Sequence, residues 1–151
     1  MIKRLNYFTV APAAIEILLQ QEQYLRQVFT QSEFINIQLW ELIKLRVSQL
    51  NQCAFCIEMH SHDLLEQGVH PQRLLALNAW RDTPIYSDTE MFVFEFVEKL
   101  LTGTAIDDEL YQRALATLSE QDLVNLTIAV NAINSWNRIA KLFKPEIGSL
   151  R

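Results

Sequence analysis

Two stretches of the sequence are apolar almost all the way round a helical wheel, and they restrict the fold more than any other feature. Residues 34–47 carry Phe34, Ile35, Ile37, Leu39, Trp40, Leu42, Ile43, Leu45 and Val47. Residues 123–139 carry Leu123, Leu126, Ile128, Val130, Ile133, Trp136 and Ile139. A helix with no polar face has to be surrounded by other elements or by a partner. The rest of the chain supplies amphipathic helices that can do this. Residues 13–28 set Ile15, Leu18, Leu19 and Leu25 among glutamines and glutamates, with Pro12 at the first turn, where a missing N–H costs nothing. The apolar stretch predicts a second helix over 33–50 and the cysteine segment a third over 53–67, stopping at Gly68. Pro71 opens a short fourth that reaches Trp80, and 81–86 is a loop. Ser87-Asp88-Thr89-Glu90 has capping-box spacing and starts a helix toward Leu101. Asp107 begins another, and Ser119 caps the longest, which ends at about Phe143 before Pro145. No strand-like alternation, repeat or linker interrupts this pattern. Three glycines and four prolines are too few for a turn-rich sandwich or barrel. The expectation is a single all-α domain, a helical bundle over residues 1–151, whose length is sufficient for a core without staples.

Charge and apolar content narrow the function classes. A net charge of −5 lacks the positive footprint that nucleic-acid binding requires. No segment approaches the roughly 18–20 uninterrupted apolar residues of a membrane span. Met1-Ile2-Lys3-Arg4 imitates the start of a signal peptide, but Asn6, Pro12 and Glu16 break the apolar region and no small-residue cleavage site follows. A cytoplasmic protein is expected. In a reducing compartment, two cysteines three apart point to redox or metal chemistry and not to a static framework. Mean hydropathy of +0.04 is high for a small monomer, and the excess apolar surface suits an oligomer interface.

The chemistry concentrates between Glu41 and His60. Asn51-Gln52 interrupts the apolar run and puts Cys53 at a helix start, where free N–H groups and the macrodipole favour a thiolate. The two-residue spacer to Cys56 lets the sulfurs meet as a disulfide. His60 lies one turn past Cys56, about 6 Å along the same face, within direct or water-mediated proton exchange. The set supplies a nucleophile, a second thiol and a base. The same residues also read as half of a zinc site, but the nearby imidazoles, His60 and His62, face different sides of the helix. Two inert core cysteines are a further reading. Haem attachment needs His directly after the second cysteine, and Ile57 stands there. Glu41 either pairs with Lys44 on its own helix or is a buried, perturbed carboxylate that accepts a proton. His62 has Glu58 one turn back and reads as a surface pair, and His70 as loop. Met91, Phe92, Phe94 and Phe96 read as core. Asn131, Asn134 and Arg138 form a polar line on the last helix that needs partners.

Glu41, eleven intervening residues, Cys53-X-X-Cys56, three more and His60 closely resemble the AhpD-like alkylhydroperoxidase core of the carboxymuconolactone decarboxylase superfamily. Leu45-Arg46-Val47-Ser48-Gln49, Cys56-Ile57-Glu58-Met59-His60, Trp80-Arg81 and Asn134-Ser135-Trp136-Asn137-Arg138 are similar to its peroxidase-related branch. The resemblance runs from Arg4-Leu5 and Pro12 to Arg138. It implies an all-α AhpD-like fold with the active site at the start of the cysteine helix. It implies thiol-dependent hydroperoxide reduction without a cofactor or metal. Cys56 is then the peroxidatic thiol, Cys53 the resolving thiol, and His60 with Glu41 the proton relay. It further implies a homo-oligomer, whether dimer, trimer or hexamer. One position departs: well-studied AhpD proteins carry histidine directly before the second cysteine, and this chain has Phe55. The decarboxylating branch lacks the cysteine pair, so decarboxylation is not expected.

The leading expectation is therefore a thiol peroxidase restored by an external dithiol of lipoyl or thioredoxin type. Its rivals are a disulfide reductase or antioxidant adaptor using the same dithiol, and a non-catalytic oligomer whose disulfide senses redox state. The pocket is expected to be apolar, with Trp136 or Phe55 contributing.

Overall fold

The computed structural model describes residues 2–149. Its helices are α1 (Tyr7–Val10), α2 (Pro12–Gln31), α3 (Ile37–Leu50), α4 (Ala54–Glu66), α5 (Pro71–Ala76), a 3-10 segment Leu77–Asp82, α6 (Asp88–Thr102), α7 (Asp108–Thr117) and α8 (Glu120–Phe143). Among the described residues there is no strand, so the all-α expectation holds. No helix among them is long and apolar enough to cross a membrane.

The expected caps are present. Ser87 and Glu90 close a reciprocal capping box, and the Asp107 and Ser119 side chains accept from Leu110 and Asp122 N–H. Gly68 ends the α4 turn at φ +80°, a left-handed conformation that costs a Cβ-bearing residue about 1–2 kcal/mol. The structure departs from these expectations in places, including the first long helix, which runs on to Gln31. The second helix starts at Ile37 and not near residue 33. Ser32 Oγ accepts the N–H groups of Phe34 and Ile35, and Asn36 Oδ1 accepts that of Leu39 at 2.8 Å. These side-chain acceptors hold the preceding turn out of the helix, so Phe34 lies outside it and is exposed. The 71–80 helix is interrupted at Ala79, where φ is −121°. Around that kink Asn78 accepts from Arg46, and the Trp80 indole donates to Glu98, each at 2.8 Å. Side-chain bonds to α3 and α6 thus flank the break in the α-helical ladder. The short α1, capped by Asn6, was not anticipated.

Helix α3 is central, as its apolar circumference requires. It packs against α4, α8, α6 and α2, and every residue from Leu39 to Ser48 is buried. Leu25, Phe29, Trp40, Ile43, Phe94, Leu126 and Ile133 belong to one core that joins these helices. The charged residues of α3 all have partners. Arg46 donates to Glu98, Asn78 and Gln49, and Glu98 also receives Trp80 and Arg81. This cluster fastens the 3-10 segment and α6 to the end of α3 away from any solvent competition for the Arg46 guanidinium, which is 6% exposed.

Candidate active site

The α3–α4 turn delivers the cysteines. Cys53 N–H bonds the Ser48 carbonyl at 3.0 Å, and Asn51 N–H bonds that of Val47 at 2.9 Å. Between them Gln52 adopts φ +53°. The turn is fastened to α8: Asn51 Nδ2 donates to Asn134 Oδ1 at 3.0 Å and Asn137 Oδ1 at 2.9 Å. Asn137 donates in turn to Ser48 Oγ, and Lys141 Nζ to the Asn51 carbonyl. The polar line expected on the last helix is thus corrected. Asn134 and Asn137 are the inward-facing pair, while Asn131 and Arg138 are exposed.

Cys53 is the N-cap of α4, and its sulfur accepts the Cys56 N–H at 3.4 Å. The two sulfurs are joined as a disulfide, with the α-carbons 5.3 Å apart. Both residues are 2% exposed. Cys56 lines a pocket of about 240 Å³, together with Phe55, Met59 and His60 of α4, Trp136 of α8 and Leu19 of α2. Both expected aromatic contributors, Phe55 and Trp136, are in its wall.

His60 is 4% exposed, and its Nδ1 lies 2.5 Å from Glu41 Oε1. The other Glu41 oxygen, Oε2, receives Lys44 Nζ at 2.7 Å, and that ammonium sits 3.9 Å above the Trp40 ring. Glu41 is thus both the helix partner of Lys44 and a buried carboxylate bonded to His60. Burial pushes the Glu41 carboxyl up, but the His60 hydrogen bond and the Lys44 charge outweigh it and hold it at about 2. An ionised carboxylate is an acceptor only, so Nδ1 carries the hydrogen. In neutral His60 the bare lone pair is then on Nε2. That atom is buried and has no hydrogen-bond partner among the described residues.

Two acids reach the pocket unannounced by any motif. Glu22 projects from α2. Burial pushes its carboxyl up, while Lys44, His60 and a Trp136 hydrogen bond pull the other way without prevailing. Asp63, three residues past His60, is also raised, first by burial and then by the Glu41 charge. Glu41, His60 and Asp63 each offer a ligand atom within 4.8 Å of the others. The Lys44 ammonium, 2.7 Å from Glu41, already supplies the positive charge there and opposes a divalent cation. His62 lies at the surface, with Glu66 3.5 Å away, and His70 caps α5 through Nδ1. Neither belongs to the pocket lining.

An all-helical fold that holds a vicinal cysteine pair at a helix start, against a histidine clamped by a buried glutamate, defines a class of dithiol proteins. The carboxymuconolactone decarboxylase family model matches residues 33–99, which span all four of these side chains. The chain belongs to that family and to its AhpD-like members. It is 39% identical over 142 residues to the uncharacterized protein YdfG of Bacillus subtilis, covering 93% of each chain. It is similar to the crystal structure of Agrobacterium tumefaciens ATU0492, described as a candidate antioxidant defence protein AhpD. That likeness has a TM-score of 0.86 at 30% identity, over 96% of this chain and 97% of that one. An uncharacterized peroxidase-related protein from Silicibacter sp. TM1040 shares the fold, with a TM-score of 0.78 at 17% identity over 89% of this chain and 70% of that one.

Proposed function

We propose that the protein is a cytoplasmic thiol-dependent hydroperoxide reductase. The observation that carries this reading is the imidazole of His60. Its Nδ1 is committed to Glu41, while the buried Nε2 has no partner among the described residues and belongs to a residue lining the same pocket as Cys56. Cys56 lines the pocket and Cys53 does not, which supports Cys56 as the attacking sulfur and Cys53 as the resolving one. In the reduced protein, Nε2 takes the Cys56 thiol proton. The thiolate attacks the terminal peroxide oxygen, an S–O bond forms, the O–O bond breaks, and the alcohol leaves with a proton. Cys53 then displaces water from the Cys56 sulfenic acid to give the disulfide, and an external dithiol of lipoyl or thioredoxin type is oxidised in restoring both thiols. Glu41 fixes the imidazole tautomer and stabilises the imidazolium as it forms.

Replacing Cys56 by Ser is expected to abolish peroxide consumption in a dithiol-coupled assay; a fully active variant removes the assignment. Phe55 supports a second reading, a disulfide reductase. It puts an apolar ring beside Cys56 where the well-studied AhpD proteins have a protonatable group, so the wall suits the hydrocarbon body of a lipoyl disulfide. Turnover on hydroperoxides compared with turnover on lipoyl or thioredoxin disulfides separates the two. Homo-oligomer formation is part of the reading: Ile17 and Tyr24, two turns apart on α2, leave apolar side chains 67% and 46% exposed. Light scattering of the oxidised and reduced protein reports the assembly.

A further inference from the structure

Peroxide reduction has to deliver a proton to a strongly basic alkoxide, and Glu41 is not placed to do so. One of its oxygens holds His60 and the other holds Lys44, so the carboxylate is fully occupied as an anchor. Among the described residues, the acidic side chains that line the pocket are Glu22 and Asp63. Asp63 is two turns beyond Cys56, about 10 Å along α4. Glu22 comes from α2, a separate wall. It faces Lys44 and Glu41 from α3, His60 from α4 and the hydrogen-bonding Trp136 from α8, with Arg26 one turn along its own helix. Burial raises its carboxyl while that of Glu41 is lowered. Carboxyls displaced in opposite directions mark separate acid and anchor roles.

We propose that Glu22 is a catalytic acid, carrying the Cys56 thiol proton from His60 Nε2 to the departing oxygen of the peroxide. The proposal rests on the peroxidase reading above. The sequence of transfers balances. Cys56 gives its proton to His60 and its sulfur electron pair to the terminal peroxide oxygen. The O–O electron pair leaves on RO⁻. The proton passes from His60 through the Glu22 carboxyl to RO⁻, giving ROH. Glu22 and His60 end as they began, Cys56 is oxidised to the sulfenic acid, and the peroxide is reduced.

The test compares two oxidants on the reduced full chain and its Glu22→Gln variant, a change that keeps a hydrogen-bond acceptor for Trp136. tert-Butyl hydroperoxide expels an alkoxide that needs a proton, whereas peracetic acid expels acetate, which does not. Rates are normalised to titrated thiol, so unfolded protein does not count. The expected result is a loss of about 10²-fold with tert-butyl hydroperoxide and a change within about twofold with peracetic acid. Equal losses with both oxidants, or no loss with tert-butyl hydroperoxide, overturn the role of Glu22 and leave the peroxidase reading standing. A reduced wild-type chain that consumes neither oxidant overturns both.

Discussion

Glu41 divides its two oxygens between an imidazole and an ammonium, and this division determines what happens when it is replaced. Glu41→Gln removes the carboxylate that lies 2.7 Å from the Lys44 ammonium, which is 6% exposed. Breaking a buried ion pair from one side costs about 3–5 kcal/mol. The single variant is therefore expected to melt at clearly lower temperature and to lose thiol reactivity as well. The double variant Glu41→Gln/Lys44→Met removes the ammonium as well. It should recover most of the stability in denaturant titrations but not the iodoacetamide reactivity of Cys56. Recovery of both would place Glu41 among purely structural residues.

At the scale of elements, the α3–α4 turn does the positioning. Three residues reverse the chain between a largely buried helix and the cysteine helix, and amides from α8 hold the turn from outside. Gln52 supplies the reversal at φ +53°, a region that costs a residue with a Cβ about 1–2 kcal/mol. Glycine there gives up about 0.5–1 kcal/mol in chain entropy. Gln52→Gly is thus expected to raise stability by several tenths of a kcal/mol to about 1 kcal/mol in thermal melts. A fall of that size instead would show that the Gln52 side chain contributes more than its backbone costs. The 3-10 segment is a second case in which side-chain bonds set the geometry. Arg46, Asn78, Trp80 and Glu98 tie it to α3 and α6, where propensity alone continues an α-helix.

For the whole molecule, the depressed carboxyls set the response to acid. The folded Glu41 value, about 2, lies below the ordinary 4.5. A group displaced downward contributes stability in full above its unfolded value and loses it as pH falls from about 4.5 toward 2. Burial opposes the shift at Glu98 too, but its Arg81, Trp80 and Arg46 donors hold it down, so it adds in the same direction. Melting temperature is expected to drop steeply below about 4.5, while above it the raised carboxyls of Glu22 and Asp63 act in the opposite sense and gain stability as they take up protons. The drop should be shallower in the Glu41→Gln/Lys44→Met variant. A flat profile down to pH 3 would contradict the ion-paired assignment.

Helix positions, most caps, the central place of α3 and the proximity of Cys53, Cys56 and His60 were legible because they depend on local periods. Side chains three or four apart on one helix meet wherever the helix goes, and a capping hydroxyl acts on its own next turn. Glu41 was legible as well, since a charge in an otherwise apolar helix has to find a partner. Glu22, the inward choice of Asn137 over Asn131, and the 3-10 break at Ala79 were not. Each depends on which neighbouring helix arrives at that point and at what angle, and the chain's own periodicity carries no record of that. Packing between helices put an acid of α2 beside an imidazole of α4 and so decided which carboxylates are buried, which are ionised and which face the pocket.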